Sequence, residues 1–162
     1  MSATPLPTGK EIRDLFEMLL GRTVELSPDY EILKPDEEFG CCVAFFNDAM
    51  DNVCAACIMD LDLCAYAGAA LQLIPAAGAQ DEINNGTLSD SYIENVYEIL
   101  NIFSGLLNKD DAPHVTIGLM YTPGEELPAN EYKMVTSYVE RRDSILDIEG
   151  YGKGRFGVMC FN

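Results

Sequence analysis

Apolar residues recur at Ile12, Leu15, Phe16, Leu19 and Leu20, the i, i+3, i+4, i+7, i+8 spacing that lines one face of an α-helix. Thr8 and Glu11 stand three apart just ahead of this run, the spacing of a capping box, and Gly21 suits the left-handed position that ends a helix. Weak alternation over residues 23–31 predicts a short strand, and the acidic loop Pro35-Asp-Glu-Glu-Phe39 follows. The pattern then changes to two continuous apolar runs, 41–46 and 53–59, rich in small and β-preferring residues. Asp48-Ala-Met-Asp-Asn52 between them supplies turn chemistry, so the pair reads as a hairpin of largely buried strands.

Residues 60–74 are Ala-rich, with Gly68 inside and Pro75 as a stop, which predicts a helix packed closely on a sheet. Residues 75–89 turn to Gly, Ala, Asn and Asp, with Asn85-Gly86 as a turn signal, and read as a surface loop. Ser91-Tyr-Ile-Glu94 repeats the capping-box spacing and opens an amphipathic helix that runs to about residue 108. Its apolar face is expected to hold Ile93, Val96, Tyr97, Leu100, Phe103 and Leu107. Glu94, Glu98, Asn101, Gly105 and Asn108 step by four, three, four and three along the other side, which keeps them in one polar stripe. Strands are predicted at 115–121, 133–140, 144–148 and 155–161, broken by Pro123-Gly124, by Arg141-Arg-Asp143 and by Gly150-Tyr-Gly-Lys-Gly154. Together these elements predict an α+β fold, an antiparallel sheet of strands of mixed length packed against about three α-helices and closed by an antiparallel meander.

At 162 residues the chain is expected to form one domain, 1–162, with 1–7 as a flexible tail. A composition 48% hydrophobic and 23% charged is that of a folded globular protein. Its 27 acidic residues outweigh 10 basic ones, and a net charge of -17 repels phosphate backbones and anionic lipids alike. Neither nucleic acid nor a membrane is therefore an expected partner, which leaves a basic surface on another protein, or a cation. No signal peptide opens the sequence, and the apolar run 65–79 is too short to span a bilayer, so the expected location is the cytoplasm. There the six cysteines are expected as thiols. Cys54 and Cys57 lie in a predicted strand, where residues three apart face opposite ways, and His114 is the one histidine, so no metal site is expected. Gly150, Gly152, Gly154 and Gly157 fall between strands, where they make a turn rather than a phosphate cradle.

What remains is the polar stripe. Glu98 and Asn101 put a carboxylate and an amide side by side one helical turn apart, and Gly105 a turn further on leaves a flat spot at a cost of about 1 kcal/mol to the helix. Glu98-Ile-Leu-Asn101-Ile-Phe-Ser-Gly105 resembles the E-x-x-N-x-x-x-G helix of the CheC/CheX/FliY chemotaxis phosphatases. The order of elements is similar to that family over most of the chain and most like the CheX arrangement, which also has one such motif. The resemblance implies a phosphatase that removes phosphate from a CheY-like receiver domain. It assigns Asn101 to holding the attacking water and Glu98 to pairing with the receiver's lysine, as the catalytic residues. Glu94, Gly105 and Asn108 become partner-contact positions, with Glu94 also serving as the helix cap. No cofactor is expected on this chain, the Mg²⁺ coming from the receiver, and a homodimer formed through the sheets is implied, with the long C-terminal strands as its edge. Two departures stand out: Glu94 occupies the place where the family pattern has Asp or Ser, and Pro123 follows Asn101 after 21 intervening residues where the family has 22. They leave room for a non-catalytic member of the same fold that docks a receiver or a flagellar switch protein.

Overall fold

A computed structural model describes residues 3–109 and 111–162. The first helix, α1 (Gly9–Leu20), carries the complete capping box: Thr8 Oγ1 accepts from the Glu11 N–H at 3.1 Å, and Glu11 Oε1 from the Thr8 N–H at 3.0 Å. It ends at Gly21, whose φ of 65° is the left-handed conformation that glycine adopts without strain. Then follow β1 (Val24–Pro28), β2 (Cys41–Asn47), β3 (Val53–Asp60), α2 (Leu61–Leu71), α3 (Ala76–Asn85), α4 (Asp90–Phe103) with a 3₁₀ turn over Ser104–Leu106, β4 (Thr116–Tyr121), α5 (Ala129–Thr136), β5 (Glu140–Ile148) and β6 (Gly152–Cys160). The six strands form one antiparallel sheet in the order β1-β5-β6-β3-β2-β4.

Both faces of this sheet are covered, which explains the unbroken apolar runs of β2 and β3. Cys42, Ala44, Phe46, Cys57, Phe156 and Val158 face α1, α2 and α4, joining Phe16, Leu63, Leu100 and Phe103 in the main core. Cys41, Val43, Phe45, Ile58 and Met159 face the other way, onto Leu33, Leu127 and Val135 of α5. A glycine of β6 lets α2 approach closely. A Cβ placed on Gly154 of β6 would stand 2.4 Å from the Leu63 Cβ, so α2 lies almost on the strand's backbone.

Several expectations need correction. Residues 76–85 form α3 rather than a loop, and Asn85-Gly86 is that helix's end, Gly86 having a φ of 72°. The first half of the strand expected at 133–140 is α5, which brings the helices among the described residues to five. Arg141-Arg142-Asp143 lies inside β5 rather than in a turn. The reason is local neutralisation: the Arg141 guanidinium grips the Asp143 carboxylate at 2.6 and 2.8 Å, both side chains more than nine-tenths buried, and donates to the Val135 and Ser137 carbonyls at the end of α5.

The meander is also absent. β4 pairs with β2 at the far edge, and β6 lies between β5 and β3. The C-terminal strands are therefore interior, and the free edges belong to β1 and β4. The described part of the expected tail is tied down, since Thr4 is 3% exposed and exchanges two hydrogen bonds with Asn162, and Pro7 accepts from Arg142 Nε at 2.8 Å. Residues 1 and 2 of that tail lie outside the described residues. Among the described residues no helix is long and apolar enough to cross a membrane.

Candidate functional site

Helix α4 starts two residues earlier than its sequence signal. Ser89 is the N-cap, and it is held from the preceding helix: Glu82 Oε1 accepts from the Ser89 hydroxyl at 2.6 Å and from its N–H at 2.7 Å. The capping box expected between Ser91 and Glu94 is not formed, and Glu94 stands exposed in the second turn. The buried face is likewise rotated from expectation. Tyr92, Asn95, Val96, Ile99, Leu100 and Phe103 point inward, while Ile93 is half-buried and Tyr97 is 43% exposed.

Asn95 explains the rotation. Its Nδ2 donates to the Gly68 carbonyl at 3.0 Å, one of the last four of α2, which the helix itself leaves without an i+4 donor because the Gln72 N–H turns back to Ala69. The approach is close at Gly68, where a Cβ would come 3.1 Å from the Tyr92 ring, tighter than an ordinary contact. At the other end both polar atoms of the Asn108 amide are engaged by Val115, accepting from its N–H at 2.7 Å and donating to its carbonyl at 2.8 Å. Asn108 thus clamps the connection to β4, and its amide is occupied within the chain.

Of the polar stripe, Glu94, Glu98, Asn101 and Gly105 face solvent. Glu98 and Asn101 are one turn apart, which sets their Cβ atoms about 5–6 Å from each other. Neither the Glu98 carboxylate nor the Asn101 amide has a hydrogen-bond or ion-pair partner among the described residues; the Ser104 hydroxyl donates at 2.6 Å to the Asn101 main-chain carbonyl and not to its side chain. Gly105 sits in the 3₁₀ turn with nothing within 4 Å of the position its Cβ would take. Tyr97, four residues before Asn101, adds an exposed ring to the same face, which its expected place in the core had hidden. The ridge is acidic, with Asp90, Glu94 and Glu98 on one helix, while Lys109 beyond it is paired to Glu11.

An amide and a carboxylate held on a rigid ridge can orient a water and receive a cation, without any change of protonation at the amide. The cysteines offer no competing chemistry. All six are free thiols; burial pushes those of Cys41, Cys57 and Cys64 up and that of Cys160 to about 12, which keeps them protonated at neutral pH. Cys54 and Cys57 do not diverge as expected: Cys57 is fully buried in the main core and the half-buried Cys54 packs against that same core.

The sheet order and the helix-covered face define an α+β domain with the fold seen in FliM and FliY. The sequence matches no family profile and no curated protein. Among solved structures, Helicobacter pylori FliM in a complex with SpeE is similar with a TM-score of 0.61 at 12% identity, over 94% of this chain and 80% of that one. The FliM middle domain from H. pylori gives 0.59 at 10% identity, over 94% and 84%. Thermotoga maritima FliY gives 0.54 at 16% identity, over 91% and 81%. At these identities the likeness is one of fold.

Proposed function

We propose that the protein is a phosphatase of the CheC/CheX/FliY kind, acting on the aspartyl phosphate of a CheY-like receiver domain through α4. The observation that carries this reading is the exposure of Glu98 and Asn101 side by side on α4 with both side chains uncommitted. An aspartyl phosphate is a reactive acyl phosphate, and its hydrolysis lacks chiefly a water fixed in line with the leaving oxygen. The Asn101 amide holds that water as donor and acceptor; the water oxygen bonds to phosphorus, the bond to the aspartyl oxygen breaks, and the products are carboxylate and inorganic phosphate. The Glu98 carboxylate pairs with the receiver's lysine and sets the register of the two proteins. The receiver brings its own Mg²⁺, which neutralises charge on the transferring group. Glu94 and Gly105 are contact positions, the first now free of a capping duty and the second open to close approach.

A second reading, docking of a receiver or flagellar switch protein without catalysis, is favoured by the FliM structures, one of them a complex with SpeE. The two separate in one experiment: phosphate loss from a panel of phosphorylated receivers with Mg²⁺, beside pull-down of the same receivers. Accelerated loss that falls away in Glu98→Ala supports catalysis. Capture without acceleration supports docking, and neither result for any receiver removes both. In either reading a homodimer formed through the sheet has β4 as its natural edge, because β4 is uncharged with Leu119 63% exposed, whereas β1 carries Glu25 and ends at Pro28.

A further inference from the structure

Away from α4, the loop 35–40, the loop 122–128 and the start of α5 enclose a groove of about 810 Å³. No residue of α4 lines it, so what it does is independent of the ridge. Its walls are built rather than incidental. Gly40, with a φ of 76°, lies so close to the second loop that a Cβ there would stand 2.6 Å from the Gly124 nitrogen, and backbone packs on backbone. Phe39 is 47% exposed and its ring rests over Gly86, where a Cβ would come within 3.1 Å of it, while Leu127 closes the floor at 9% exposure.

The rim has one sign of charge. Asp36, Glu37, Glu38, Glu125 and Glu126 surround the apolar floor, against Lys133 alone. Three of the five carboxylates already have tasks: Asp36 accepts from the Tyr132 hydroxyl at 3.1 Å, Glu37 meets Arg155 at 3.3 Å, and Glu125 accepts from Thr122. Glu38 and Glu126 are exposed and have no partner among the described residues.

We propose that this groove docks a short segment of a partner protein in which a large apolar side chain is flanked by lysine or arginine. The volume is that of a ligand pocket and exceeds what one ion needs. Phe39 and Leu127 offer an apolar seat, and Glu38 and Glu126 offer charges that nothing in this chain neutralises. An acidic or purely polar segment gains from neither feature.

The test uses the whole chain and a fluorescein-labelled octapeptide in which two lysines flank Leu-Phe, with a counterpart carrying glutamate for lysine. Fluorescence anisotropy and amide NMR shifts are read at low and at high salt. The lysine peptide is expected to bind and to shift the amides of Phe39, Gly86, Gly124 and Leu127, and the glutamate peptide to do neither. The double variant Glu38→Lys/Glu126→Lys weakens binding about tenfold or more, from two lost attractions and two new repulsions, and high salt weakens it in the native protein. The control Glu25→Lys/Asp81→Lys makes the same change in net charge on exposed residues elsewhere, and it is expected to alter binding less than about twofold at moderate salt, because distant charges are screened. Equal weakening by the control, shifts scattered over the surface, or the same shifts from spermine but not from the peptide would each overturn the proposal.

Discussion

The Asn95 side chain donates to the Gly68 carbonyl at 3.0 Å and joins α4 to the last turn of α2 inside the core. This bond sets which face of α4 is turned outward, and so which residues form the ridge. Asn95→Ala leaves the Gly68 carbonyl buried without a donor, which costs about 1–3 kcal/mol. The expected outcome is a lower urea midpoint with an unchanged slope, measured by equilibrium unfolding.

Glu82 takes the capping role that sequence spacing gives to Glu94. Glu82 holds the cap residue Ser89 through two hydrogen bonds, and Glu94 is an exposed carboxylate one turn from the like charge of Glu98. Glu82→Ala is expected to cost about 1 kcal/mol, and Glu94→Ala to change stability by less than about 0.5 kcal/mol. Paired thermal melts check the contrast; a larger loss in Glu94→Ala would restore the capping role to that residue.

Gly105 has open space where a Cβ would stand and no positive φ. Gly105→Ala is expected to stabilise the isolated protein by about 0.4–1 kcal/mol, by narrowing the unfolded ensemble. In the proposed complex the added methyl intrudes on the partner and lowers receiver dephosphorylation by on the order of tenfold. Differential scanning calorimetry and the phosphatase assay read the two effects separately, and their opposite signs are the expected result.

Burial raises the Asp60 carboxyl to about 6, although it caps α2 by accepting from the Leu63 N–H at 2.8 Å. With the folded value above the unfolded one, the folded state binds the extra proton between pH 4 and 6. The contribution of Asp60 to stability is therefore full below about pH 4 and falls as pH rises through 6. Asn keeps the cap without the charge, so Asp60→Asn matches the native protein near pH 4 and gains on the order of 1 kcal/mol above pH 6. Urea unfolding of both proteins across this range gives the difference directly.

The elements that could be read from the chain were those whose signal is local. Thr8 and Glu11 cap α1, Gly21 ends it, and the apolar runs of β2 and β3 stand as buried strands because both sheet faces are covered. The failures have local causes too. Residues 76–85 are short and mostly small or polar, with Ala79 as the one buried position, so α3 shows no apolar stripe. In β5 the paired Arg141 and Asp143 looked like a charged turn because neutralisation between residues i and i+2 leaves no trace in a pattern of hydrophobicity. The place of β4 beside β2 rests on long-range pairing that no local period encodes.

On α4, the exposure of Glu98 and Asn101 one turn apart was legible from helical period. The inward turn of Asn108 and the outward turn of Tyr97 depend on Val115 and Gly68, which lie elsewhere in the chain.

In the proposed reaction the Asn101 amide fixes the hydrolytic water. The most direct measurement of this role is the rate of phosphate loss from a CheY receiver charged with acetyl phosphate in Mg²⁺, at saturating concentrations of native protein and of Asn101→Ala, with receiver binding followed by anisotropy. The variant is expected still to bind within a few-fold but to lose about 100-fold or more of the acceleration. An Asn101→Ala protein that binds and dephosphorylates the receiver as fast as the native one would contradict that role.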